Sequence, residues 1–229
     1  MVPDGDIGRL IAPDGKASVA GFLATGTIAA ALALLGSPWW WVLATPALVL
    51  GLFLLWFFRD PARNPPGGPE SVVSPADGRV LQVETGVEDE RFFSGPGTRV
   101  CIFMSPVDVH VNRNPVDGVV EAVRYHAGKY FAAYSEKASL DNEQNAVIMR
   151  TPNGRRVGYV QIAGFLARRI VCNLAAGDSC VRGDRMGMIK LGSRVDIFVP
   201  GAFTLEVETG DRVLAGETVL GQLNDGAGE

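Results

Sequence analysis

The sequence predicts a mostly β (α+β) fold: a compact multi-strand domain preceded by an N-terminal two-helix membrane hairpin. Three observations carry this. Residues 17–58 hold no charged side chain. Residues 59–69, RDPARNPPGGP, hold four prolines and two glycines, which neither a helix nor a central strand accepts. From Ser71 onward, short runs rich in Val, Ile, Phe and Tyr are punctuated by Gly, Pro and Asn, the pattern of strands and turns.

Residues 1–16 form a polar lead with Pro3, Gly5, Pro13 and Gly15. Residues 17–35 are an apolar run rich in Ala, Leu and Gly. Gly36-Ser37-Pro38 ends it, because Gly terminates helices and Pro cannot continue them. A second apolar run, 39–58, opens on Trp39-Trp40-Trp41. A bilayer core takes about 20 apolar residues per helix, so 17–58 reads as two spans joined by a tight turn. Tryptophans at the turn suit an interfacial belt. Arg9, Lys16, Arg59 and Arg63 flank the other end, which points to a cytoplasmic location for both ends and for the domain that follows. No polar cleavage region separates the two runs, which argues against a signal peptide. A re-entrant or interfacial pair is the rival arrangement. Residues 59–69 are then a linker and 70–229 the catalytic domain.

Within that domain strands are expected at 71–74, 79–84, 99–104, 108–111, 117–125, 146–151, 155–163, 168–174, 185–191, 194–199, 203–207 and 218–223. One or two short helices are expected between Tyr130 and Asn142. The segment Gly210-Asp211-Arg212-Val213-Leu214-Ala215-Gly216-Glu217 resembles a turn of lipoyl and biotinyl carrier domains. Pro75-Ala76-Asp77-Gly78-Arg79-Val80 resembles the first strand of the same fold, so barrel-sandwich-hybrid-like elements are expected.

Net charge is −4, and the charges of residues 1–64 cancel. No basic stripe invites nucleic acid. Three cysteines without a CxxC and two histidines make no metal pattern. Buried thiols in a reducing compartment are the expectation.

The chemistry centres on Gly192-Ser193, between two β-type runs. Such pairs are commonly turns. This context also suits a backbone cut. The Ser193 hydroxyl can attack the preceding carbonyl through a five-membered ring, and Gly192 does not crowd it. β-Elimination of the resulting ester then leaves dehydroalanine, which loses ammonia to become an N-terminal pyruvoyl group. That ketone forms a Schiff base with amines and acts as an electron sink. A serine hydroxyl needs a base, and His110 and His126 are the only histidines. His110 lies in Ser105-Pro106-Val107-Asp108-Val109-His110-Val111-Asn112-Arg113. On a strand Asp108 and His110 share a face, where a carboxylate can hold the ring. Asp77, in a Pro-Ala-Asp-Gly turn, is a second carboxylate, and also reads as a plain turn residue.

These residues resemble the phosphatidylserine decarboxylases, in the short form that reads Gly-Ser-Arg, over the chain from about Arg59 to the C-terminus. The resemblance implies a pyruvoyl-dependent, self-processing membrane enzyme. It would be cut after Gly192 into chains 1–192 and 193–229 that stay together, with oligomerisation beyond that pair left open. Ser193 would become the pyruvoyl group, with Asp77, Asp108 and His110 as its partners, and no metal. Phosphatidylserine would lose CO2 to give phosphatidylethanolamine. Longer bacterial members carry a second histidine where this chain has Arg113, which makes Arg113 a candidate anion contact. His126 to Tyr134 also resembles the short form. Lys129, Tyr130 and Tyr134 are candidate lipid contacts, against a plain solvated loop. Two other readings are a lipoyl- or biotinyl-type carrier, opposed by the absence of lysine from 195–213, and a non-catalytic membrane-tethered β domain.

Overall fold

The computed structural model describes residues 10–128, 142–164, 169–190 and 193–224. The chain divides between Ala62 and Arg63 into a helical unit and a β unit.

The helical unit is α1 (Pro13–Leu35), a single 3-10 turn (Pro38–Trp40) and α2 (Trp41–Phe57). Pro13 opens α1, where its missing N–H costs nothing. The helices pack through small residues. Gly26 lies against Leu48, and Gly51 against Leu23. A side chain at either glycine would hold the backbones apart. The two ends of the hairpin are stitched together: Ala12 N donates to Phe58 O (2.7 Å) and Asp60 N to Leu10 O (3.1 Å). Trp39, Trp40 and Trp41 are exposed at the turn, and Leu34, Val42, Val49 and Leu52 are exposed along the helices. By length and composition, α1 and the stretch Pro38–Phe57, the 3-10 turn with α2, are each long and apolar enough to cross a membrane. The two-helix expectation therefore stands, with α1 starting four residues earlier than expected.

The β unit contains β1 (Ser71–Val73), β2 (Gly78–Glu88), β3 (Pro96–Met104), β4 (Val111–Arg113), β5 (Gly118–His126), β6 (Gln144–Arg150) and β7 (Arg156–Ile162). After these come β8 (Ile170–Cys172), β9 (Ser179–Cys180), β10 (Arg185–Ile189), β11 (Ser193–Pro200), β12 (Phe203–Leu205), β13 (Arg212–Val213) and β14 (Val219–Leu223). Eight of them form one sheet in the order β13-β2-β3-β11-β7-β6-β5-β9. Two three-stranded sheets, β1-β14-β12 and β4-β10-β8, complete the described strands.

The mostly β expectation holds, with local corrections. The strand expected at 108–111 begins at Val111. Residues 106–108 form a turn, because Ser105 and Asp108 cap each other there. The short β9 and β13 were not anticipated, since two residues show no periodicity. The helices expected between Tyr130 and Asn142 fall on 129–141, outside the described residues. The two carrier-like segments do meet, with Arg212 opposite Arg79 and Val213 opposite Gly78. Positive φ at Gly210 and Gly216 turns the chain at either end of β13.

β11 is central, paired antiparallel to β3 on one side and β7 on the other. Both of its faces are buried, which explains an apolar run without alternation. Val195, Ile197 and Val199 join the main core with Ile102, Met104, Val147 and Tyr159. Phe198 joins a second cluster on the other face, stacked on Phe92 at 4.5 Å between ring centroids.

Candidate active site

Ser193 is the first residue of β11 and lies opposite Met104, the last residue of β3. It is fully buried. Its hydroxyl donates to Met104 Sδ at 3.4 Å. A thioether is a weak acceptor, so this oxygen is held without being strongly engaged.

Past Met104 the chain turns tightly. Asp108 Oδ2 accepts from Ser105 N (2.8 Å) and Ser105 Oγ (2.7 Å), and Asp108 N donates back to Ser105 O (3.0 Å). This turn delivers His110, fully buried, with Nδ1 2.9 Å from the main-chain carbonyl of Asp108. A carbonyl can only accept, so Nδ1 carries the hydrogen and Nε2 is the basic nitrogen of the neutral ring. The His110 carbonyl accepts from Ile189 N at 3.3 Å. Ile189 ends β10, the strand preceding Ser193. His110 is therefore tied to the segment that leads into Ser193, while Ser193 is tied to the strand that leads into His110.

The expected role of Asp108 changes in detail. Its carboxylate does not share a strand face with the His110 ring. It is committed to Ser105 and, through Oδ1, to Arg212 Nη2 at 2.6 Å. Asp108 reaches the imidazole through its backbone instead.

Asp77 sits in the turn before β2. Ser74 Oγ donates to Ala76 O (2.7 Å), and Arg113 N donates to Pro75 O (2.9 Å), which joins this turn to β4. Asp77 Oδ1 accepts from Ala215 N (2.7 Å), and Oδ2 accepts from Arg63 Nη2 (2.9 Å). Burial pushes the Asp77 carboxyl above its ordinary value, against the pull of the Ala215 amide and Arg63. The Asp108 charge raises it further and the Arg113 charge lowers it, so Asp77, Asp108 and Arg113 lie within electrostatic reach of one another.

Arg113 Nη1 donates to Gly183 O at 2.9 Å. Arg194, after Ser193, is buried and forms a two-pronged pair with Asp196, at 2.5 Å and 2.6 Å. Arg194 Nη2 also reaches Cys101 Sγ at 3.3 Å. His126 is exposed at the end of β5, three places from β11 in the sheet, whereas His110 is fully buried. Gly192, Lys129, Tyr130 and Tyr134 lie outside the described residues.

Sequence reasoning missed Arg63, Arg212, Met104 and Asn112. Arg63 read only as a membrane flank and Arg212 only as part of a turn. Met104 and Asn112 gave no signal, because nothing local distinguishes them from core residues. The surroundings of Ser193 fit a pyruvoyl group: a buried, weakly held oxygen on Met104 Sδ and the Asn112 amide aimed at the same sulfur (3.5 Å).

The chain matches the family model described as phosphatidylserine decarboxylase over residues 50–221. It is 48% identical to a phosphatidylserine decarboxylase proenzyme of Chlorobaculum tepidum, over 79% of this chain and 82% of that protein. It is 42% identical to proteins of the same name from Citrifermentans bemidjiense (93% of this chain, 96% of the relative) and Ralstonia pickettii (94% and 96%). With most of its length matched by the family model and by these relatives, this chain belongs to the phosphatidylserine decarboxylase family.

Proposed function

We propose that the chain cuts itself between Gly192 and Ser193 and, as the joined pair 1–192 and 193–229, removes CO2 from phosphatidylserine to leave phosphatidylethanolamine. One observation carries the reading: Ser193 is fully buried at the head of a central strand, its hydroxyl on a thioether, with His110 locked in the tautomer whose Nε2 is basic.

His110 takes the Ser193 proton in the cut and returns a proton to the substrate carbon after CO2 leaves. The Asp108 carbonyl keeps the ring in register for both. Asp77 stabilises the protonated ring at a distance, held in place by Ala215 N and Arg63. Arg113 would meet an anionic group of the lipid, its phosphate or carboxylate, and Lys129, Tyr130 and Tyr134 its headgroup and acyl chains. The pyruvoyl group formed from Ser193 supplies the ketone that withdraws electrons from the substrate. Burial of the site excludes water.

The apolar hairpin supports attachment to the cell membrane, and the flanking Arg and Lys support a cytoplasmic catalytic unit. The carrier reading has no such support, since the paired carrier-like segments present no lysine.

The test is the intact mass of the purified full chain. Wild type should give two pieces, the smaller starting at residue 193 and blocked to N-terminal sequencing. Ser193→Ala should give one piece and release no CO2 from labelled lipid. A wild-type chain that stays whole on prolonged incubation would sink the reading.

A further inference from the structure

Behind Ser193 the core contains a line of buried amides that the reading above does not use. Asn145 Nδ2 donates to Gln161 Oε1 (3.2 Å), Gln161 Nε2 to Asn112 Oδ1 (2.9 Å), and Asn112 Nδ2 to Met104 Sδ (3.5 Å). Asn112, Gln161 and Ser193 are fully buried and Asn145 nearly so. The line has one possible polarity. Gln161 Nε2 also faces the Val171 carbonyl at 3.5 Å, and a carbonyl only accepts. The Gln161 group there must be the NH2, so the Asn112 atom it meets must be the oxygen, and Asn112 must turn its NH2 toward Met104. The line ends on the sulfur that also holds the Ser193 hydroxyl.

Buried amides in an apolar core are costly unless satisfied. Here every donor has a strong acceptor except the last, which rests on a thioether. A fixed N–H on a weak acceptor that it shares with a reacting oxygen is the arrangement of a donor waiting for charge to develop.

We propose that the Asn112 side-chain amide donates to the Ser193 oxygen as that oxygen leaves during the cut. The inference rests on the self-cleavage reading. In the ester, Oγ is bonded to the Gly192 carbonyl carbon and has lost its hydrogen, so it can only accept. A base removes the Cα hydrogen of residue 193 as a proton. The C–H electron pair becomes the Cα–Cβ π bond. The Cβ–Oγ bond breaks, and its pair departs on Oγ, now an oxygen of the Gly192 carboxylate. One protonated base and one carboxylate result, so charge balances. Asn112 stabilises the departing oxygen. Gln161 and Asn145 are positioning residues that keep its N–H aimed.

The test follows full-length precursor made by translation into detergent micelles, with and without neutral hydroxylamine, which cuts esters but spares amides. Asn112→Leu, close in shape, should slow the spontaneous cut at least tenfold. Hydroxylamine should then release a small chain that begins with an ordinary, sequenceable serine. If Asn112→Leu does not fold, Gln161→Glu serves: it keeps the acceptor for Asn145, loses the donor that aims Asn112, and should show the same hydroxylamine-sensitive delay. A folded variant that cuts at the wild-type rate overturns the proposal. So does a folded variant that stays whole in hydroxylamine, since the amide would then act before the ester forms. Failure of wild type itself to cut would instead remove the reading on which the proposal rests.

Discussion

The Arg63 guanidinium donates to the Asp77 carboxylate at 2.9 Å, and both side chains are almost out of solvent. The other arm of Arg63 holds Glu217 at 2.7 Å. An arginine in the Pro/Gly linker is thus part of the catalytic unit, clamping the Asp77 turn to the segment after β13.

Removing one partner of a buried pair leaves the other charge uncompensated, at a cost of about 3–5 kcal/mol. Arg63→Ala should therefore destabilise the β unit by about 3 kcal/mol, since Ala215 N still supports Asp77. Truncation should show the same boundary. A chain that starts at Arg63 should fold and cut itself, because the described site residues all lie at or beyond Arg63. One that starts at Asn64 should melt measurably lower. Equal melting points for the two truncations would refute a structural role for the clamp.

Asp77 sets a pH dependence. Its carboxyl is raised in the folded state above its ordinary 3.8, chiefly by burial. The unfolded chain therefore releases this proton first as pH rises. The stabilising contribution is complete below 3.8 and is lost as pH climbs through the raised folded value. Denaturant midpoints taken between pH 4 and pH 7 should fall with pH in wild type by more than in Asp77→Asn. Parallel curves for the two proteins would show that Asp77 titrates at its ordinary value.

His110 and Asp77 should separate by step. His110→Ala should lose decarboxylation fully and most of the cut, since one imidazole serves both. Asp77→Asn should chiefly slow the cut, where a poor nucleophile must attack an amide and the orientation of the base matters most. Gel cleavage and CO2 release, scored on the same preparations, read both. A His110→Ala chain that cuts and decarboxylates like wild type would show that the base lies elsewhere.

The thiols should be inert in the folded chain. Burial first, with the Asp196 charge beside it, pushes the Cys101 thiol up to about 12; burial with Asp178 pushes Cys180 up to about 11. Both remain protonated at pH 8, and the thiolate is the reactive form. At pH 8 a thiol reagent should label the folded chain slowly, at half-buried Cys172 first, and all three cysteines only after denaturation. Rapid labelling of Cys101 without unfolding would contradict the packing around β11.

The apolar hairpin and the succession of short strands were legible along the chain, where the proline cluster of 59–69 and the Gly192-Ser193 pair also stand out. Each is a local property. A missing charge, a proline cluster, an apolar run or a turn residue acts on its own few neighbours. His110 stands out for a different reason, since a chain with two histidines offers few bases. The tertiary structure alone decided who meets whom. It turned the Asp108 carboxylate away to Ser105 and Arg212, left the ring to the Asp108 backbone, and put Arg63 on Asp77. It also ran three amides, Asn145, Gln161 and Asn112, through the core to Met104. These contacts join residues far apart in the chain: 104 positions for Arg212–Asp108 and 138 for Ala215–Asp77. Their geometry depends on strand register and on turns such as 105–108, where the hydrogen bonds between Ser105 and Asp108 outweigh β-type composition. Periodicity reports which face of an element is buried, but a polar group's partner is set by the elements packed against that face.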